Sequence, residues 1–152
     1  MKKALLLLLA TISLTACKEN SKNLSTQTNS HITFKGLDSI NYKPKTEIEK
    51  YLQKNGYAFL NSQPKSDQWK SDKNEEIIQF NGEGVLVFLT YSNDSYNSLL
   101  ADLKKSEYKS SGTSIKNNIE VESYSKDKET IFLSSLINPE DNKKVYSLTF
   151  IN

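Results

Sequence analysis

One cysteine and one histidine are the only soft metal ligands and imidazole in this 152-residue chain. Nucleophilic catalysis of the Ser-His-Asp or Cys-His kind needs a histidine held rigidly. His31 is the single candidate, and it follows a long polar stretch without periodicity. Zinc normally takes Cys and His ligands, and one of each is too few. The sequence has no Gly-x-Ser-x-Gly elbow, phosphate-binding glycine loop or His-Glu-x-x-His helix. Carboxylates remain. Glu120 and Glu122 share one strand face, and Glu140-Asp141 lie in a turn between Asn138 and Asn142. Carboxylates can build a glycosidase pair or a calcium site. No EF-hand spacing occurs, so these read as solvated faces and turns. No catalytic residue, metal site or cofactor is expected. Aromatics are the better candidates for binding, because amphipathic rings dominate interface hot spots. Trp69, Tyr91 and Tyr124 are the residues expected to form an interaction surface.

Cys17 has a chemistry of its own. Met1-Lys2-Lys3 is a short basic start, and Ala4 to Leu14 is an uncharged, Leu-rich run. Eleven helical residues span about 16 Å, too short for a membrane core roughly 30 Å thick. The length suits the apolar region of a signal peptide. The run leads to Leu14-Thr15-Ala16-Cys17. Those residues resemble a lipobox, the cleavage site of bacterial lipoproteins. The resemblance covers residues 1–17. It implies cleavage before Cys17, a diacylglyceryl thioether on its thiol, further acylation such as palmitate, and a membrane-anchored place in the cell envelope. The domain would face the periplasm or the cell exterior. As the lone cysteine, Cys17 has no internal disulfide partner.

The formal charge of the chain is +2. Loss of residues 1–16 removes Lys2 and Lys3 and leaves a net side-chain charge of zero. With no Arg and no basic excess, nucleic-acid binding is not expected. Residues 17–30 carry one apolar residue after Cys17, Leu24, and read as a tether with a reach near 20 Å.

Residues 31–152 are expected to form a single domain. His31-Ile32-Thr33-Phe34 alternates and suits a first strand, with a turn at Lys35-Gly36. The Phe34-Lys35-Gly36 turn weakly resembles that of secreted proteins of unassigned function and implies no activity. A helix should start with the capping-box spacing Thr46 to Glu49 and end at Asn55-Gly56. Short strands follow at Tyr57–Leu60, around Trp69, at Glu76–Phe80 and at Val85–Tyr91. Asn81-Gly82 between the last two is a hairpin signal. Val85–Leu89 is apolar on both faces, which places it centrally. A second helix begins near Asn93, with Tyr96, Leu99, Leu100 and Leu103 on one face. Three strands follow, at Asn118–Tyr124, Thr130–Ile137 and Val145–Ile151. The expected core includes Phe34, Ile48, Leu52, Phe59, Ile78, Phe80, Leu86, Phe88, Leu99, Leu103, Val121, Leu133, Leu148 and Phe150.

The expected class is therefore α+β, an antiparallel sheet with two helices on one face. Leu52 to Tyr57 can be laid over Leu103 to Tyr108 at a fixed offset. The chain reads either as two αβββ units in tandem or as a chance likeness of two such runs. The layout looks like that of the β-lactamase inhibitory proteins, in arrangement and not in sequence, and implies no activity. The expected function is a lipid-anchored envelope protein whose domain is a non-enzymatic binding or interaction module. Its partners would be the membrane, through Cys17, and an envelope protein. A small-ligand carrier with an internal pocket is the alternative, and a hydrolase is less favoured.

Overall fold

The computed structural model describes residues 32–151 apart from 64–65, 72–74 and 82–83. Cys17, the signal region, the tether, His31, Pro64 and Gly82 lie outside the described residues. The fold is α+β. Its elements run α1 (Phe34–Ile40), α2 (Lys45–Lys54), β1 (Ala58–Gln63), β2 (Ser66–Ser71), β3 (Glu76–Phe80), β4 (Val85–Thr90), α3 (Asn93–Lys105), β5 (Lys109–Lys116), β6 (Ile119–Lys126), β7 (Glu129–Ile137) and β8 (Lys144–Ile151). All eight strands form one antiparallel sheet in the order β1-β2-β3-β4-β8-β7-β6-β5. Two four-strand meanders thus meet where β4 pairs with β8.

The expected first strand does not form, and a helix begins at Phe34. Thr33 caps α1 by accepting the Gly36 N–H at 3.1 Å, and Phe34, Leu37 and Ile40 are buried. Spacing of three defines that face, and the short alternation before it is too brief to set a strand. Gly36 makes no turn. A Cβ there would stand 2.0 Å from the Tyr51 hydroxyl oxygen, so glycine lets two helices approach.

Helix α2 also starts differently from expectation. Pro44 is its N-cap, with no side-chain cap, and its carbonyl accepts the Glu47 N–H at 2.8 Å. The fixed ring of Pro44 presets the entry, so Thr46 falls inside the helix and the capping box does not form. The end is as expected. Gly56 has φ +82, and the Tyr57 and Gly56 N–H groups reach back to the Leu52 and Gln53 carbonyls at 3.0 and 3.1 Å. This is a Schellman cap. Helix α3 is capped by Ser92, which accepts the Ser95 N–H at 3.2 Å.

A strand absent from expectation is β5. Its sequence, KSSGTSIK, is exposed along its whole length, because it is an edge strand paired only with β6. Burial therefore imposes no alternation on it. Asn117 and Asn118, both at positive φ, turn β5 into β6. Asn118, expected to open a strand, is a hairpin residue.

Alternate residues of the central strands enter one core. In register across the sheet, Trp69, Ile78, Phe88, Leu148 and Leu133 form one row, and Phe80, Leu86, Phe150 and Ile131 the next. Helix residues Phe34, Leu37, Ile48, Leu52, Leu99 and Leu103 complete the same cluster. Among the described residues there are three helices instead of two, and they do not lie as one layer on one face. Helix α3 packs on β4 and β8, while α1 packs against α2 and α3. Phe59 is a further correction. It is 53% exposed on the edge strand β1, with its ring edge-on to Trp69 at 5.6 Å. Val121 is half-buried and pairs with Ser134, outside the core rows. No helix among the described residues is long and apolar enough to cross a membrane.

Candidate functional site

The three aromatics expected on one surface are not together. Trp69 and Tyr124 are 3% and 4% exposed and belong to the core. Both point from their strands into the helix-packed rows, so neither can form a contact surface. Tyr124 donates to Glu122 at 2.8 Å. Burial, reinforced by that carboxylate, pushes its hydroxyl up to about 12. Tyr91 is half-buried just past β4. Its hydroxyl accepts from Asn138 Nδ2 at 3.0 Å, and Lys143 lies over its ring at 5.8 Å. It lines a cleft of about 320 Å³ with Leu60, Lys70, Ile77, Asp141 and Lys143.

Of the four acidic candidates, Glu122 and Asp141 accept structural hydrogen bonds, and Glu120 is exposed. Glu122 is held by Tyr124. In the β7–β8 turn, Asn138 Oδ1 accepts the Glu140 N–H and Asp141 Oδ1 accepts the Lys143 N–H, each at 3.1 Å. Among the described residues no group of three His, Cys, Asp or Glu side chains could hold a metal ion.

Sequence reasoning missed two tyrosine–glutamate pairs. Tyr57 follows α2 and donates to Glu76, the first residue of β3. Tyr108 follows α3 and donates to Glu129, the first residue of β7. The two pairs occupy matching places in the two meanders. The Tyr57 and Tyr108 positions were visible in the sequence offset, but their partners lie two strands further on and carry no local signal. The β-bulges match as well: the register shifts between Phe59 and Asn61 and again between Ser110 and Gly112, the same step from the preceding tyrosine.

The surroundings of the two pairs differ. Glu76 is 1% exposed, sealed within the core. Glu129 is half-buried and accepts from Tyr42 as well as Tyr108. Tyr108 also donates to Asp38 of α1 at 2.9 Å. Lys126 lies over the Tyr108 ring at 5.8 Å and pairs with Glu107 at 2.8 Å. Burial opposes the charge on Glu129, yet the Tyr108 and Tyr42 hydroxyls and Lys126 outweigh it and hold its carboxyl below the usual glutamate value. Burial first, then the Glu129 and Asp38 carboxylates, push the Tyr108 hydroxyl well up. Tyr57 is raised likewise, by burial and then by Glu76. These phenols stay protonated and act as hydrogen-bond donors to the carboxylates. The arrangement can bind charge; it holds no activated nucleophile.

Compared with known protein families, curated proteins and solved structures, the chain has no match.

Proposed function

We propose that this chain is a lipid-anchored bacterial envelope protein whose domain is a non-enzymatic interaction module. Cys17 carries the acyl chains, residues 17–30 are the tether, and the partner is an envelope protein at the same membrane. The lipobox resemblance supports the anchor. The observation that carries the interaction reading is the outer face of the sheet, the one opposite the core rows. Along it, Lys70, Ile77, Leu89, Ser147, Ser134, Val121 and Ser114 lie in register. Val87, Phe132, Val145 and Leu136 stand on the same face, and none of these residues belongs to the core cluster. An aliphatic face edged with hydroxyls and amides has the composition of an interface core with a polar rim. Ser134 and Ser147 already pair across it at 2.7 Å, and Gln79 donates to Ser66 at 2.7 Å. The matched tyrosine–glutamate pairs and bulges support a duplication of a helix-plus-four-strand unit. The working face would then be continuous across both copies.

Two outcomes test the reading. Cys17→Ser should leave the protein uncleaved or soluble and free of labelled palmitate, because the thiol carries the lipid. Wild-type protein should leave the membrane fraction with detergent and stay through a high-salt wash. Release by salt alone, or equal palmitate on the mutant, would overturn the anchor. Leu136 is 42% exposed on the outer face, so Leu136→Lys should abolish cross-linking to the envelope partner without changing the melting temperature. Retained cross-linking by Leu136→Lys, with loss on substituting the exposed Lys54 of α2, would move the interface elsewhere.

A further inference from the structure

The strand carboxylates Asp67, Glu76, Glu120, Glu122 and Glu129 all take the helix side of the sheet. Among the described residues the outer face therefore carries no strand carboxylate. Its strand lysines are Lys70, Lys109 and Lys116, toward the margins on β2 and β5. Each has compensation at hand. Lys116 lies over the Phe132 ring at 5.1 Å, Lys109 stands in the field of Glu107, and Lys70 shares a cleft with Glu75 and Asp141.

The polar side chains of this face satisfy one another. Gln68 donates to Gln79 at 3.2 Å, and Gln79 donates to Ser66 at 2.7 Å. Ser134 pairs with Ser147 at 2.7 Å, and Ser111 with Ser125 at 2.6 Å. Ser123 donates to the Gly112 carbonyl at 3.1 Å. Burial of a polar group is costly when the group loses its partner. Here the partners are neighbours on the same face, so these pairs survive when the face is covered.

What covers the face needs no countercharges or hydrogen-bonding groups of its own, only an apolar area of matching shape. A second copy of the same face meets that requirement, with Val87, Leu89, Phe132 and Val145 as its apolar centre. The size fits as well. Eight strands about 4.8 Å apart, each with about 20 Å in the sheet, present roughly 700 Å². A stable complex buries about 800 Å² per partner. The entry of the chain allows the pairing. Phe34 stacks on Phe150 at 5.9 Å, so residues 1–31 join the fold at the sheet end that holds Leu86, Phe150 and Ile131. A two-fold axis along the strands keeps that end together in both copies.

We propose that the outer face binds a second copy of this chain, sheet against sheet, about a two-fold axis parallel to the strands. The proposal rests on the outer-face reading and names its partner. With each copy held through Cys17, both tethers run to one membrane, and confinement there raises the effective concentration.

The test is to co-express two differently tagged full-length copies, cross-link them in the intact envelope, and size the purified intact protein by sedimentation in mild detergent. A doubly tagged species of twice the mass should form, and sedimentation should show dimers between about 1 and 100 µM. Leu136→Lys and Ile77→Lys, on opposite halves of the face, should each weaken the dimer at least about tenfold with an unchanged far-ultraviolet spectrum. Leu136 is exposed already, so its variant is the one least able to disturb the fold. A dimer that survives both variants would overturn the proposal. So would a wild-type protein that stays monomeric and yields no doubly tagged species. If that monomer cross-links to a different protein and Leu136→Lys loses the link, the outer-face reading stands and the second copy as its partner falls.

Discussion

Above pH 10 the domain should lose stability at about 4 kcal/mol per pH unit and unfold over the next two or three units. Tyr57, Tyr108 and Tyr124 are all at most 4% exposed, and burial together with a neighbouring carboxylate raises each hydroxyl above the tyrosine value of 10.0. The folded state therefore holds these protons more tightly than the unfolded chain. Their contribution is fully present below pH 10.0, shrinks as pH rises beyond it, and for Tyr124 is exhausted near about 12. A domain with about 5–15 kcal/mol of stability cannot absorb that slope for long. Circular dichroism and tyrosinate absorbance should change together in one cooperative step. Tyr57→Phe should reduce the slope by about 1.4 kcal/mol per pH unit, because it removes one linked proton. Tyrosines that ionise near pH 10 while the spectrum of the fold persists would contradict the burial of these hydroxyls.

Phe88→Ala should cost about 3–5 kcal/mol. Phe88 is fully buried in β4, opposite Ile78 of β3 and Leu148 of β8. Among the described residues the β4–β8 pair is the only strand pairing that joins the two meanders, so a cavity there weakens the joint and not one half alone. Helix α3, which packs on both strands, cannot close the gap without leaving one of them. The melting temperature should fall by on the order of 10 °C or more. Val87→Ala, one residue away on the outer face, is the control and should cost about 1 kcal/mol. Equal effects at the two positions would mean that the outer face is as closely packed as the core, and would count against a free working surface.

The local elements were legible where the chain itself carries the physics. Helix α3 follows from its apolar spacing and terminal lysines. The end of α2 follows from Gly56, because a Schellman cap needs only the residues that flank it. The central place of β4 follows from Val85–Leu89, a run apolar on both faces. The α+β class comes from the sum of those signals.

Other features depended on residues far apart in sequence, and there the sequence was silent or misleading. Helix α1 was hidden because Gly36 looks like a turn until Tyr51 of the next helix is known to need its space. Strand β5 was hidden because an edge strand buries nothing, and burial is what writes alternation into a sequence. Trp69 and Tyr124 were expected at a surface because an amphipathic ring has no sequence signal for which face of a strand it takes; register across the sheet puts both in the core. The cluster at Tyr108 gathers Asp38 from α1, Tyr108 from the loop after α3 and Glu129 from β7, with Asp38 and Tyr108 70 positions apart. Cys17 and its flanking residues are the opposite case. A lipobox is read as a short linear segment, so the sequence alone supplies that expectation. The carboxylates that share one phenol acquire their chemistry from burial and proximity, which only the packing of helices on the sheet creates.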